Sequence, residues 1–278
     1  MAITVAVVGV GLIGGSFALA VRQAGIANRV IGVSSPATIS KAQSLGIVDA
    51  GLPLEDAIPQ ADLVFLSATI HAIIDVLPRL HGLVKPGAIV TDAGSTKRAI
   101  VRRAQSVEGL TFIGGHPMAG KEQSGVEQAE ASLFQGRPWV LTPTSASNDD
   151  QVGELRDMLE QIGADTMVMS PEDHDAAVAR TSHLPQLLST ALAASLDQHF
   201  REETPVIAGP GLLDATRLAQ SPFAVWRDIL ETNQDEVLDA VDALLETLQE
   251  QREILGRDVA LGDQFDCAGA FARRLRNR

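Results

Sequence analysis

The stretch Ile3-Thr4-Val5-Ala6-Val7-Val8-Gly9-Val10-Gly11-Leu12-Ile13-Gly14 decides the fold. Its first six residues are a run rich in β-branched side chains, the pattern of a strand buried on both faces. The next six read G-x-G-x-x-G. Phe17, Leu19, Ala20 and Val21 then give a following helix an apolar side. Between a strand and a helix the glycines have three uses: a tight turn, close approach of a pyrophosphate to the backbone, and close helix packing. The helix N-terminus also faces the phosphates with free N–H groups. The competing reading is a Gly-rich turn in an unrelated α/β fold. The strand-turn-helix context favours a dinucleotide site at Gly9, Gly11, Leu12, Ile13 and Gly14.

Outward from this loop, strand and helix patterns alternate. A second strand over 29–33 ends at Ser34-Ser35-Pro36. An NAD-selective site carries an acid near Ser34, to hold the ribose hydroxyls. With Ser34 and Ser35 there instead, a helix starting near Pro36 and Lys41 further on, the reading favours NADP over NAD. A strand over 63–66 leads into Ser67-Ala68-Thr69, placed on the cofactor, and a helix over 70–80. A strand over 88–91 leads into Asp92-Ala93-Gly94-Ser95-Thr96-Lys97, where Ser95 reads as the cap of a helix over 97–104. A short strand over 111–113 leads into Gly114-Gly115-His116-Pro117-Met118-Ala119-Gly120. Gly and Pro on both sides of His116 place it on a tight loop at a strand end. Strands over 139–141 and 166–169, with a helix over 149–162, complete a doubly wound parallel sheet spanning 1–170.

After residue 170 strand signals vanish. Ser170-Pro171-Glu172-Asp173 is a helix start. Pro185, in Arg180-Thr181-Ser182-His183-Leu184-Pro185, should kink that helix. Apolar faces at 187–196 and 237–248 exceed what one small helical layer needs, so residues 171–278 read as a helical domain that forms a homodimer. The last long helix is expected over 235–255, with Arg273, Arg274, Arg276 and Arg278 as a solvated tail.

Composition narrows the classes. A net charge of −13 argues against nucleic acid and anionic membrane as partners. Cys267 is the one cysteine of the 278 residues, so no internal disulfide forms and a reducing cytoplasm fits. The apolar first 25 residues lack a basic start and are cut by glycines, so they read as strand and helix, not export signal. No apolar run is long enough for a membrane span. No Cys/His cluster suggests a metal.

In this order, G-V-G-L-I-G at 9–14, T-D-A-G-S-T-K at 91–97, G-G-H-P-M-A-G at 114–120, S-H-L-P at 182–185, D-A-T-R at 214–217 and W-R-D-I at 226–229 resemble the prephenate/arogenate dehydrogenases of tyrosine biosynthesis. The resemblance implies a Rossmann-like domain followed by an all-helical dimerisation domain. It implies a catalytic His116, a Ser95 that orients it and touches substrate, a His183 beside the nicotinamide, an Arg217 that binds a substrate carboxylate and a polar Asp214 next to it. Lys121 departs from the family's small hydroxyl residue and reads as an added positive contact to the substrate. Arg180, on the same helix face as His183, reads as a surface ion pair.

The chemistry suits these roles. Oxidising a carbinol needs a base within hydrogen-bond reach of the hydroxyl, and a neutral imidazole serves. Guanidinium matches a carboxylate in shape and charge. Two alternatives compete. A hydroxyacid-type dehydrogenase centres on a lysine in its helical domain, and no lysine follows Ser170. A non-catalytic nucleotide sensor needs neither the His116–Ser95 pair nor Arg217. No single residue distinguishes prephenate from arogenate.

Overall fold

The structure is a computed structural model and describes residues 2–121, 123–199 and 207–277. Eight strands form one sheet: β1 (Ile3–Val8), β2 (Ala27–Val33), β3 (Ala50–Gly51), β4 (Leu63–Leu66), β5 (Ile89–Asp92), β6 (Phe112–Pro117), β7 (Pro138–Pro143) and β8 (Asp165–Val168). Their order is β3-β2-β1-β4-β5-β6-β7-β8. Strands β1 to β6 pair in parallel, in the order of a dinucleotide-binding sheet. The chain reverses between β1 and β4, so a crevice opens at the carboxyl ends of these strands.

Around the sheet lie α1 (Leu12–Gln23), α2 (Pro36–Ser44), α3 (Leu54–Ala57), α4 (Ile70–Val76), α5 (Arg98–Gln105) and α6 (Asp149–Gln161). They bury two apolar layers, one on each face. Phe17, Phe65, Phe134 and Trp139 anchor the first, with Phe17 and Phe65 4.1 Å apart between ring centres. Ile58, Ile73, Leu77, Ile100 and Phe112 anchor the second. Strands β1 and β4 sit between the layers, which is why their sequences are almost continuously apolar.

Two expectations for this half need correction. The sheet is not wholly parallel, because β7 runs antiparallel to β6 and only β8 resumes the parallel pairing with β7. A parallel pair needs a crossover, usually an α-helix. Among the described residues between β6 and β7 the helical structure is a 3-10 turn, Val126–Gln128. His116 is also not on a loop. It lies within β6, opposite Val140 of β7. The neighbouring glycines serve close approach, not a turn. A Cβ on Gly114 would stand 2.2 Å from Thr142 Oγ1, and one on Gly115 2.5 Å from the carbonyl oxygen of Asp92.

The remaining described elements are helical: α7 (Pro171–Val178), α8 (Leu184–Asp197), α9 (Pro210–Thr216), α10 (Phe223–Thr232), α11 (Gln234–Ile254) and α12 (Asp258–Arg276). Ser170 caps α7 by accepting from the N–H of Asp173. Between α7 and α8 the residues Ala179–His183 form a π-helical turn, and Pro185 starts α8. The expected disturbance at Pro185 therefore takes the form of one widened turn carrying His183, a device common at functional sites. Arg273, Arg274 and Arg276 are not a loose tail. They close the last turn of α12, where cations offset the exposed carbonyls, and Arg278 lies outside the described residues.

Candidate active site

The glycine loop is built for a dinucleotide. Gly9 has φ +94°, and a Cβ there would stand 2.6 Å from the Ser67 carbonyl oxygen. A Cβ on Gly14 would stand 2.1 Å from the carbonyl oxygen of Gly9, so α1 packs directly on the turn. A Cβ on Gly11 would meet nothing within 4 Å, which leaves its backbone open to a phosphate. Ser67 Oγ donates to the Gly9 carbonyl at 2.6 Å and ties the loop after β4 to the loop after β1. Ala68 and Thr69 continue that loop and are exposed, while Leu12 and Ile13 form the half-buried first turn of α1.

A cleft of about 380 Å³ runs from Gly9 and Gly11 past Ser34, Thr38 and Lys41, with Gly125 and Glu127 on its far wall. Ser34 faces this space. Ser35 is committed to capping α2, its Oγ accepting from the N–H of Thr38 at 3.3 Å. Glu127 is an acid that escaped the sequence reading, because it comes from the 3-10 turn after β6 and not from the end of β2.

Beside the cofactor loop, β5 and β6 converge on a buried ionic knot. Lys97 and Asp92 are both fully buried, and the Lys97 ammonium donates to the Asp92 carboxylate and, at 2.6 Å, to the Gly115 carbonyl. Asp92 also accepts from the N–H of Gly115 at 2.9 Å and of Gly94 at 2.7 Å. Burial pushes the Lys97 pKa down, against the pull of the Asp92 charge. The knot clamps the backbone immediately before His116.

His116 Nδ1 lies 2.8 Å from His174 Nε2, with the two rings steeply inclined at 65°. His174 Nδ1 lies 2.7 Å from Asp175 Oδ1. The same carboxylate accepts from the backbone N–H of Lys97 at 2.7 Å and of Arg98 at 2.9 Å, the first free amides of α5. Asp175 is therefore the cap that Ser95 was expected to provide. Ser95 is half-buried in the turn before α5 and makes no hydrogen bond to His116. Asn233 closes the group: its Nδ2 donates to the Asp175 carbonyl at 2.8 Å, and its Oδ1 accepts from Arg98 at 2.9 Å. Its Nδ2 is also 3.3 Å from His183 Nδ1. His183 is buried edge-on to Trp226, with ring centres 6.0 Å apart.

Electrostatics follows from this packing. Burial, reinforced by the neighbouring His174, Lys97 and His183, holds the His116 pKa well below the ordinary histidine value. Burial lowers His183 to about 4. It also lowers His174, although Asp175 opposes the shift. For Asp175 burial acts upward, but hydrogen bonds from His174, Arg98 and Lys97 outweigh it and keep the carboxyl ionised. At neutral pH the site thus holds three neutral imidazoles and one buried carboxylate, with His174 standing between His116 and Asp175.

The other expected site residues are more dispersed. Asp214 is exposed on α9, and Arg217 is exposed on the 3-10 turn that follows. That turn is pinned to α8: Gln186 Nε2 donates to the Leu218 carbonyl at 2.8 Å, and Ser189 Oγ accepts from the N–H of Ala219 at 3.1 Å. Lys121 is paired with Glu130 at 2.8 Å and donates to the Gln128 carbonyl, so it is occupied within its own loop. Arg180 donates to the Ala176 carbonyl at 2.9 Å and lies 3.8 Å from Glu236. His174, Asp175 and Asn233 were missed by the sequence reading. The one signal for the first two was a His-Asp pair just inside a helix start. Among the described residues, one group could hold a metal ion: His71 of α4 with Asp228 and Glu231 of α10, at the surface.

A phosphate-shaped glycine loop after β1 and a neutral imidazole on β6, both at the carboxyl edge of the parallel strands, are the apparatus of a nicotinamide-dependent dehydrogenase. Two family models match in tandem, "Prephenate dehydrogenase, nucleotide-binding domain" over residues 17–168 and "Prephenate dehydrogenase, dimerization domain" over residues 170–262. The chain belongs to the prephenate dehydrogenase family. It is 32% identical over 265 residues to the prephenate dehydrogenase of Bacillus subtilis, covering 92% of this chain and 71% of that protein. The crystal structure of prephenate dehydrogenase from A. aeolicus in complex with hydroxyphenyl propionate and NAD+ matches with TM-score 0.90 and 32% identity, over 100% of this chain and 99% of that one. Synechocystis arogenate dehydrogenase matches with TM-score 0.85 and 30% identity, over 99% and 100%.

Proposed function

We propose that this chain catalyses the oxidative decarboxylation of prephenate or arogenate with a nicotinamide dinucleotide, in tyrosine biosynthesis. The observation that supports the reading is the neutral His116 imidazole on the same carboxyl edge of the sheet as a glycine loop whose Gly11 leaves its backbone open to a phosphate. A dinucleotide held at Gly9, Gly11 and Gly14 would supply the hydride acceptor for the ring carbinol carbon. The chain's own part is to hold that carbon and relieve its hydroxyl. The substrate O–H donates to His116 Nε2, which takes up the positive character of the hydroxyl as hydride departs. The C–CO2 bond electrons then enter the ring as CO2 leaves, and the oxygen regains the proton from His116. No metal is needed for this step.

In this reading Ser95 touches the substrate hydroxyl, and His183 lines the pocket beside the nicotinamide. Arg217, with Asp214 near it, binds a substrate carboxylate. Lys121, paired with Glu130 at the surface, is the added positive contact to the substrate in this reading. The cofactor preference is for NADP over NAD, by about tenfold or roughly 1.4 kcal/mol. Support comes from Ser34, Thr38 and Lys41 lining the cleft that Gly9 and Gly11 also line, and from the lack of an acid at the end of β2. Glu127 across the cleft is the group that would reverse this preference. Comparing kcat/KM for the two cofactors tests it, and a clear advantage for NAD rejects it.

The helical half forms a homodimer in this reading. Its α8 turns Gln186 and Ser189 inward and leaves Leu188 46% exposed, while Leu245 of α11 is 49% and Phe265 of α12 69% exposed. Such apolar surface calls for a partner. The likeness to a dimerization domain supports the same reading. The activity is tested by following reduced cofactor with prephenate, arogenate and a simple hydroxyacid. Turnover with the hydroxyacid alone would reject the proposal.

A further inference from the structure

We propose that His174 and Asp175 are positioning residues for the dehydrogenation: together they fix the tautomer of His116 that presents the Nε2 lone pair to the substrate. This rests on the reading of His116 as the base. Asp175 is fully buried, yet it stands at the N-terminus of α5 and accepts from the Lys97 and Arg98 amides, with the Arg98 guanidinium 3.3 Å away. So many donors keep it an anion, and an anion only accepts. His174 Nδ1, 2.7 Å from Asp175 Oδ1, must therefore carry a proton.

A neutral His174 with its proton on Nδ1 has a bare Nε2. That nitrogen faces His116 Nδ1 at 2.8 Å. Two bare nitrogens at this separation repel, so the proton lies on His116 Nδ1. The lone pair of His116 is then on Nε2, the nitrogen not engaged by His174. The alternative is a doubly protonated His174, which would force the opposite tautomer on His116. Burial opposes it, since His174 is 1% exposed and the Lys97 ammonium lies nearby. Histidine tautomers are set by what the second nitrogen contacts. Here that contact is a second histidine, itself set by a carboxylate locked into a helix start. Asn233 holds the Asp175 backbone in place at 2.8 Å.

The experiment uses the full chain with NAD+ bound and nitrogen-15 labelled histidine. In the wild type, one- and two-bond nitrogen-proton couplings should put the His116 proton on Nδ1. A proton on Nε2 overturns the proposal without any variant. His174→Leu should lower kcat about ten- to a hundredfold, the scale of a misplaced catalytic group. NAD+ affinity should be unchanged. His174→Gln should restore most of the loss, because its amide oxygen can accept from His116 Nδ1. A merely structural role would rank Leu and Gln by packing, and Leu would do no worse than Gln. If His174→Leu keeps wild-type kcat while His116→Asn abolishes turnover, the relay is wrong and the base stands. If His116→Asn keeps turnover, the base assignment itself falls.

Discussion

At the scale of single residues, the site works by keeping charges out. The carbinol needs a lone pair beside it, and a protonated His116 has none. Burial first, then the neighbouring His174, Lys97 and His183, hold the His116 pKa well below its ordinary value, near 6.5 for a free histidine. The acid limb of kcat/KM should therefore lie below about pH 6.5. A limb above that value would show that another group is titrating. His116→Asn should fold, bind cofactor and lose about 10²- to 10⁴-fold in turnover. Arg217→Ala should act on KM: losing a charge-assisted carboxylate contact costs about 1.5–3 kcal/mol. An unchanged KM in the folded variant would place the carboxylate elsewhere. The depressed imidazoles also bear on stability. His183 titrates near 4 when folded and near 6.5 when unfolded, so between these values the unfolded state binds more protons. Its contribution is full above about pH 6.5 and is lost as pH falls toward 4. Tm should drop across that window, and less steeply in His183→Gln.

At the scale of elements, the decisive features are close approaches. Gly115→Ala would drive a methyl to within 2.5 Å of the Asp92 carbonyl oxygen, inside the Lys97–Asp92 knot. Overpacking of this kind costs about 1–3 kcal/mol. In a protein of this size that lowers Tm by several degrees, read by thermal melting, and it should cut kcat as well because His116 follows directly. A variant with unaltered Tm and turnover would show that the knot does not position β6. These same glycines mark the limit of what the sequence discloses. The loop at 9–14 was legible because its motif sits between a strand and a helix, and both neighbours are local. The setting of His116 was not. Gly114 and Gly115 look like a turn, and only the partners Thr142 and Asp92 reveal that they are strand residues making room. His174 is 58 residues from His116, and Asp175 is 78 from the amide of Lys97 that it caps. No local pattern announces such pairs. The antiparallel β7 was hidden for the same reason, since strand direction depends on the path of the preceding connection.

At the scale of the whole molecule, two halves share one site. The sheet supplies the cofactor loop, the ionic knot and His116, while α7, the π-helical turn and the junction between α10 and α11 bring His174, Asp175, His183 and Asn233 against it. The helices leave Leu188, Leu245 and Phe265 exposed. Light scattering at micromolar concentration should give about twice the 29.4 kDa of one chain, and Leu245→Glu should shift the mass toward a monomer. A monomeric wild type would reject the homodimer. The central claim is the reaction, and it is tested by incubating the purified chain and dinucleotide with prephenate and with arogenate while measuring reduced cofactor and CO2 together. The account predicts that at least one of the two substrates yields both products in equal amounts, and that His116→Asn yields neither. Reduced cofactor without CO2, or no reduced cofactor from either substrate, would contradict it.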